Sequence, residues 1–280
     1  MSLKERVERL GRWSVTTARH LAHRLGLTWQ GWCVLGASIL ALVTAVTVLG
    51  GVSEDVTQHN GLASSDPSHL RFFTDHRPDL LVRAAHITTD FGNAAVLALV
   101  AIGAGLLLWR RGLPVVVAAA PALALGVTAF LSDLAKRLVD RGRPPVSLRL
   151  LVEGEPSFPS GHAANSAAVY LTLALVLAVF VFRRPLVRVA VVAGAGVIAG
   201  AIGTSRLVLG VHWPSDVLAG WALGTSVALA TTLAATLLVL LKPTKLTPPP
   251  ARLQRAGLVL YRALMYERHV PRRRPRLQAA

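Results

Sequence analysis

The chain has 280 residues, of which 53% are hydrophobic, and 30 Lys and Arg against 14 Asp and Glu give a net charge of +16. A nucleic-acid-binding protein of this charge is normally polar throughout, and the Ala, Val and Leu content of the middle of the chain excludes disorder there. The single cysteine, Cys33, excludes a disulfide framework and a cysteine-based zinc site. The composition therefore favours a membrane protein.

Six apolar segments are long enough to cross the hydrocarbon core of a bilayer, which takes about 20 residues of helix. In chain order they are 30–52, 91–109, 113–132, 163–182, 189–205 and 217–241. The first follows a long charged leader and exceeds the length of a signal-peptide core, so we interpret it as a retained helix. The sequence thus predicts an all-α, polytopic membrane protein with six transmembrane helices in a bundle.

The distribution of basic residues predicts the orientation of the spans. With a cytoplasmic N-terminus, 21 of the 30 Lys and Arg residues fall on the cytoplasmic side. Both termini are therefore predicted to be cytoplasmic, and a membrane domain at 30–241 lies between a basic leader at 1–29 and a basic tail at 242–280. The Arg-rich stretch 271–276 is interpreted as a solvated juxtamembrane tail, with RNA or a protein partner as the alternative. Because basic segments gain energy beside anionic lipid, the positive charge requires no nucleic-acid partner, and none is expected.

The outer loop between the first two spans, 53–90, is long enough to shape the mouth of a site and is the candidate segment for substrate selection. Its polar first part predicts irregular structure. From Pro78 onward, apolar residues recur at helical spacing, at Leu80, Leu81, Ala84 and Ile87. This pattern fits either a helix lying on the outer leaflet or an extension of the second span. Further along, Gly196 and Gly200 predict close helix packing.

Three clusters of polar residues interrupt the apolar pattern at the outer ends of the predicted helices. They are Lys136 with Arg143-Pro144, then Pro159-Ser160-Gly161-His162, then Ser205-Arg206 with His212 and Asp216. Ionisable residues in or at a membrane are costly and usually mark function. Taken singly, each cluster also has a structural explanation. Lys136 and Arg137 can snorkel to the interface or pair with Asp133 one turn away, and Asp216 suits the first turn of a helix.

Together the clusters predict a site for a phosphoryl group. Three cations, Lys136, Arg143 and Arg206, are expected on one face. The backbone N–H groups of Ser160 and Gly161 lie at a helix N-terminus, where anions bind. Cationic groups and backbone amides suit a phosphoryl group, whose oxygens gather negative charge in the transition state.

The two histidines are predicted to have different roles. Asp216 can accept the Nδ1–H of His212 and so hold one tautomer, which leaves Nε2 as a nucleophile. His162 can protonate the leaving oxygen and later activate water. The predicted chemistry is phosphoryl transfer through a phosphohistidine.

The pattern Lys-x6-Arg-Pro, Pro-Ser-Gly-His and Ser-Arg-x5-His-x3-Asp, present over 136–216, resembles the type 2 phosphatidic acid phosphatase family. The resemblance implies a metal-independent phosphatase without a cofactor that acts on lipid phosphates or diphosphates. It also implies His162 as acid and His212 as nucleophile oriented by Asp216. The residues it implies as phosphate contacts are Lys136, Arg143, Ser160, Gly161 and Arg206. Vanadium-dependent haloperoxidases have a similar site but are soluble, and six predicted spans argue against that class.

We therefore expect a lipid phosphatase of the bacterial cytoplasmic membrane with its site on the extracytoplasmic face. The sequence leaves the substrate open among isoprenyl diphosphates such as undecaprenyl or decaprenyl diphosphate, phosphatidic acid and phosphatidylglycerol phosphate. A lipid-linked phosphotransferase using the same histidine is the alternative. A transporter is disfavoured because its polar groups would lie near the membrane midplane.

Overall fold

A computed structural model describes residues 29–241 of the chain. Within that range the protein is all-α, with helices, one short 3₁₀ turn at Val146–Leu148 and no strand. The predicted all-α fold is therefore confirmed. The tail at 242–280, the leader at 1–29 apart from Trp29, and the prediction that both termini are cytoplasmic lie outside the described residues.

Nine α-helices follow one another in the described range. The first four are α1 (Trp29–Gln58), α2 (Gly61–Asp75), α3 (Asp79–Asp90) and α4 (Ala94–Arg110). The remaining five are α5 (Val115–Ala118), α6 (Ala120–Val139), α7 (Gly161–Phe180), α8 (Pro185–Val208) and α9 (Pro214–Leu241). Each of the six predicted spans coincides with one of these helices or, for 113–132, with α5 and α6.

By length and composition, four helices qualify as membrane spans: α1 from Cys33 onward, α7, α8 and α9. A fifth span is obtained when α3 and α4, which are bent by 52° at a short break, are counted as one. The protein is thus a multi-pass membrane protein, and the count of six spans stays a prediction. The bend also makes α3 a separate helix, which packs against α8, rather than a straight extension of the second span.

The prediction of irregular structure in the first part of the outer loop is wrong. Helix α1 continues to Gln58, and α2 occupies Gly61–Asp75. The buried residues of α2 are Asp66, Leu70 and Thr74, which share one face at intervals of four. The helix could not be recognised from apolar periodicity, because two of its three buried residues, Asp66 and Thr74, are polar.

Helix α7 lies at the centre of the bundle and packs against α6, α8 and α9. Most of its buried residues are Ala, Ser or Thr, and such small side chains let neighbouring backbones approach closely. Large apolar side chains are instead exposed around the outside of the bundle, as expected where lipid is the solvent; they include Leu99, Ile102, Leu123, Phe130 and Val197.

Two glycines of α9 pack closely against α7. A Cβ on Gly220 would lie 2.7 Å from the carbonyl oxygen of Ser160, and one on Gly224 would lie 2.1 Å from that of Ala164. The predicted close packing at Gly196 and Gly200 is wrong, since a Cβ on either would meet no atom within 4 Å. The glycines of α9 therefore hold the start of α7 against the start of α9.

Candidate active site

The eight predicted site residues lie where four helices begin or end at the same side of the bundle. Helix α6 ends just after Lys136, α7 begins at Gly161, α8 ends just after Arg206, and α9 begins at Pro214. The loop between α6 and α7 supplies the remaining cation. Contacts described below join these residues into one site: Lys136, Arg143, Ser160, Gly161, His162, Arg206, His212 and Asp216.

His212 and Asp216 form the pair that their spacing predicted. His212 Nδ1 lies 3.4 Å from Asp216 Oδ2, and the backbone N–H of Trp213 donates to the same oxygen at 2.9 Å. Both side chains are buried, that of Asp216 completely. The first turn of α9 therefore presents the imidazole with one edge against a carboxylate.

The other edge of the His212 ring faces Arg143. Arg143 Nη1 lies 3.2 Å from His212 Nε2 and donates to the Val211 carbonyl at 2.8 Å. A guanidinium has donors and no acceptor, so Nε2 is the acceptor in this contact and the proton of the neutral ring is on Nδ1. The geometry thus assigns the tautomer in which Nε2 carries the free electron pair.

Two glutamates of the α6–α7 loop form ion pairs with the three cations. Glu153 pairs with Arg206, and its second oxygen lies 3.6 Å from Arg143 Nη2. Glu155 pairs with Lys136. The ion pair with Asp133 that the sequence offered for Lys136 and Arg137 forms with Arg137, at 2.7 Å, and not with Lys136. The cations therefore surround carboxylates, which shows that this place accommodates anions.

The charges of the loop groups follow from burial and from these pairings. Burial lowers the pKa of His212 from 6.5 to about 4, against the opposing hydrogen bond and charge of Asp216. Burial raises the pKa of Glu153, but the charge and hydrogen bond of Arg206 and the charge of Arg143 outweigh it and hold that pKa below its usual value. Near neutral pH, His212 is uncharged and Glu153 is ionised.

Two buried polar atoms beside the cations have no hydrogen-bond partner among residues 29–241: Ser160 Oγ and Arg206 Nε. Buried polar groups are nearly always satisfied, so unpaired ones call for an explanation. Arg206 is otherwise well held, since its Nη1 donates to Thr89 Oγ1 at 2.8 Å. One donor of the guanidinium and one hydroxyl are thus available to a further group at this place.

His162, in the first turn of α7, is half-buried. It is close enough to Arg206, His212, Glu153 and Lys136 to interact with all four electrostatically. Its ring packs near the break between α3 and α4, because a Cβ on Gly92 would lie 2.9 Å from His162 Cδ2. The second predicted histidine therefore belongs to the same site as the first.

One predicted contact takes a different form. The backbone N–H of Ser160 donates to the carbonyl of Asp216 at 3.0 Å, so it is not available to an anion as the sequence suggested. The bond instead joins the start of α7 to the start of α9. Gly161 begins the helix, where the first N–H groups lack intrahelical partners, and a Cβ there would meet no atom within 4 Å. Open space therefore lies beside this glycine.

Five residues of the site were missed by the sequence reasoning: Asp66, Thr89, Arg141, Glu153 and Glu155. Arg141 had a local signal, since it lies two residues before Arg143 in the same loop. Asp66 and Thr89 had none, because they contact residues more than a hundred positions away, Ser215 and Arg206. Among the described residues, no group of His, Cys, Asp and Glu has the arrangement of a metal site.

The sequence is similar to those of known membrane phosphatases. The model of the PAP2 superfamily matches residues 117–239. The phosphatidylglycerophosphatase B of Bacillus subtilis is 37% identical over 129 residues, which cover 45% of this chain and 60% of that protein. The decaprenylphosphoryl-5-phosphoribose phosphatase of Mycobacterium tuberculosis is 34% identical over 156 residues, covering 54% of this chain and 78% of that protein.

Among solved structures, the fold is similar to that of a transmembrane PAP2-type phosphatidylglycerolphosphate phosphatase from Bacillus subtilis. The TM-score is 0.58 at 24% identity, with 72% of this chain and 94% of that chain covered. The likeness concerns the fold, and it extends beyond the segment that the family model matches.

Proposed function

The chain belongs to the PAP2 superfamily, and from this premise we propose that it is a lipid phosphatase that hydrolyses a lipid phosphate or diphosphate through a phosphohistidine intermediate. The observation that carries the proposal is the convergence of Lys136, Arg143 and Arg206 on the carboxylates of two glutamates beside Nε2 of His212. A phosphoryl group in the place of those carboxylates meets the same cations and lies next to a nucleophile.

Phosphate binding follows from the donors at the site. The substrate phosphate displaces Glu153 and takes over its charge-assisted hydrogen bond with Arg206 and its ionic contact with Arg143. The unpartnered Ser160 Oγ and Arg206 Nε then gain an acceptor. Lys136 and the N-terminus of α7 at Gly161 add positive charge where the oxygens become more negative in the transition state.

His212 is the proposed nucleophile. Asp216 holds its Nδ1–H, so the Nε2 electron pair points away from the carboxylate towards Arg143. When Arg143 turns to the phosphate, this pair is released and attacks phosphorus. The bond from phosphorus to the leaving oxygen breaks, and a phosphorus–nitrogen bond forms.

His162 is the proposed general acid and base. In the first step it gives its proton to the leaving oxygen, so that the lipid alcohol or lipid phosphate departs neutralised. In the second step it takes a proton from water, whose oxygen attacks phosphorus and breaks the bond to His212. Inorganic phosphate leaves, and both histidines return to their starting states.

The proposed substrate is an isoprenyl diphosphate, phosphatidic acid or phosphatidylglycerol phosphate. Both sequence relatives are named as phosphatases of phosphorylated lipids, which supports this class. We further propose that residues 30–241 form the phosphatase domain, that the protein lies in the bacterial cytoplasmic membrane, and that the site faces outward. The distribution of Lys and Arg supports that orientation.

The test is phosphate release by the purified full-length chain in detergent with excess EDTA, on each of the three lipid classes. Wild-type protein is expected to release phosphate, and His212→Gln is expected to release none. The matched control is His69→Gln, because His69 is an exposed histidine of α2 and should keep wild-type activity.

The intermediate is trapped by acid-free quenching and detection of phosphohistidine, which should be present in wild type and absent in His212→Gln. Near-wild-type turnover in His212→Gln would refute the nucleophile assignment. Phosphohistidine formation without phosphate release to water would favour the phosphotransferase, in which a lipid or sugar acceptor takes the group.

A further inference from the structure

A buried ion network joins α2 to the carboxylate that holds His212. Arg141 Nη1 donates to Asp216 Oδ1 at 2.5 Å, and Arg141 Nη2 donates to Asp66 Oδ2 at 2.7 Å. The side chain of Arg141 is 16% exposed, that of Asp66 2% and that of Asp216 0%. Two carboxylates from distant parts of the chain thus share one guanidinium almost entirely away from solvent.

Asp66 also holds the residue next to Asp216. Its Oδ1 accepts from the backbone N–H of Ser215 at 2.9 Å, and its Oδ2 accepts from the Ser215 hydroxyl. The backbone N–H groups in the first turn of a helix lack intrahelical partners. A side chain of α2 therefore caps the first turn of α9 at the position before Asp216.

The hydrogen bonds of Asp216 show why this matters for the reaction. Its Oδ2 accepts from the Trp213 backbone and faces His212 Nδ1, whereas its Oδ1 has Arg141 as its partner. The rotation of the carboxylate about its own axis is thus restrained on both oxygens. Without Arg141, only the Oδ2 contacts restrain it.

We propose that Asp66 and Arg141 are positioning residues that fix the Asp216 carboxylate and, through it, the tautomer and orientation of His212. The inference rests on the proposed function, because it assumes that Asp216 orients His212 for phosphoryl transfer. It assigns α2 a part in the reaction, although α2 lies outside the segment 117–239 that the family model matches.

The burial of Asp66 is the second reason for this assignment. A buried carboxylate is costly unless it is paired, and apolar packing is often as stable as a buried ion pair. Here Arg141, which pairs with Asp66, also binds Asp216, the carboxylate in contact with His212. An exposed ion pair, Arg137 with Asp133, lies outside the network of Asp66, Arg141 and Asp216 and serves as the control.

The test uses the full-length chain in detergent with the lipid that wild type hydrolyses best. The variants are Asp66→Asn, Arg141→Gln and Arg141→Lys, with Asp133→Asn as the control. Asp66→Asn and Arg141→Gln are expected to lower kcat about tenfold to a hundredfold, by analogy with the groups that orient metal-ligating histidines. KM is expected to stay within about twofold, since neither residue lies in the phosphate pocket, and Arg141→Lys should recover part of kcat. Asp133→Asn should match wild type.

A double-mutant cycle separates positioning from general damage. If Asp66 acts through Asp216, Asp66→Asn has no further effect on kcat in an Asp216→Asn background. Effects that multiply in the double variant would overturn the proposal, as would an Asp66→Asn protein with wild-type kcat. Because Asp66→Asn keeps the pair between Arg141 and Asp216, it tests the idea even when Arg141→Gln fails to fold.

A spectroscopic measurement makes the test independent of turnover. In protein with ¹⁵N-labelled histidine, the His212 signals, assigned by their loss in His212→Gln, should report an Nδ1–H tautomer in wild type and a mixture in Asp66→Asn and Arg141→Gln. An unchanged tautomer in both variants would overturn the proposal. Failure of wild type to release phosphate from any lipid would count against the proposed function alone, because the tautomer still reports on positioning.

Discussion

The contact between α7 and α9 offers the sharpest test of the fold, through the substitution Gly224→Ala. A Cβ at this position would lie 2.1 Å from the carbonyl oxygen of Ala164, 2.8 Å from Ala167 Cβ and 2.9 Å from the backbone nitrogen of Ala168. All three atoms belong to the backbone or the first side-chain carbon of α7. No flexible side chain can move aside, so the two helices must separate.

The size of the effect follows from two opposing contributions. Ordinary contacts of a Cβ begin at about 3.4 Å, so relief of the 2.1 Å contact requires a shift of about 1.3 Å along that direction. Overpacking of this kind costs about 1–3 kcal/mol and occasionally more. Replacing a helical glycine by alanine returns about 1 kcal/mol through helix propensity. Because the clash is with backbone, we expect a net loss of about 2 kcal/mol in the free energy of unfolding, or about 4–8 °C in Tm.

The matched control is Gly200→Ala in α8, where a Cβ would meet no atom within 4 Å. This variant gains the helix propensity without the clash, so we expect its Tm to rise by up to a few degrees. The assay is thermal unfolding of both variants and wild type in the same detergent, followed by circular dichroism. The reasoning is refuted by a Gly224→Ala protein as stable as wild type, or by equal shifts of the same sign in both variants.

Three further predictions concern the charged groups of the site. Since the pKa of His212 is about 4 in the folded protein against 6.5 unfolded, the unfolded chain binds the proton first as the pH falls. Stability should therefore be lost between about pH 6.5 and pH 4, by about 3 kcal/mol, and thermal unfolding of His212→Gln should lack this component. Arg143→Lys should lower kcat/KM for phosphate release about tenfold or more, because lysine cannot reproduce the planar fork, whereas Arg137→Lys at an exposed pair should not change it. Glu153→Gln should lower Tm by leaving Arg206 underpaired; orthovanadate should then raise the Tm of this variant more than that of wild type, and an equal rise in both would contradict the idea that Glu153 occupies the anion site.

Much of the site could be predicted because its residues form recognisable patterns over short stretches of sequence. Lys136 lies in the last turn of an apolar helix, and Arg143 follows a few residues after that helix ends. His212 and Asp216 are four residues apart, the spacing of one helical turn. Spacing alone therefore places these side chains near helix ends. The six apolar segments likewise coincide with helices, because hydropathy and length are properties of a continuous stretch. Neither signal depends on which helix packs against which.

Residues that act across the bundle could not be predicted in this way. Asp66 lies in a segment of Ser, Asp and His that suggests a loop, and its burial depends on Arg141, 75 residues further along the chain. The pairing of Glu153 with Arg206 and Arg143 could not be predicted, because acidic residues are common in outer loops. The error at Gly196 and Gly200 has the same origin, since a small-residue spacing permits close packing and only the partner helix decides where it occurs.

The two edges of the His212 ring differ in a way that suits the proposed reaction. On the Nδ1 side, Asp216, Arg141 and Asp66 are almost entirely buried and hold one another by short hydrogen bonds. On the Nε2 side, the anions that pair with the cations are Glu153 and Glu155, whose side chains are 28% and 72% exposed. A nucleophile that is regenerated in each cycle needs a fixed partner behind it and an exchangeable anion in front of it. Burial keeps Asp216, Arg141 and Asp66 in place. Because Glu153 and Glu155 lie in a solvent-accessible loop, a phosphate can displace them.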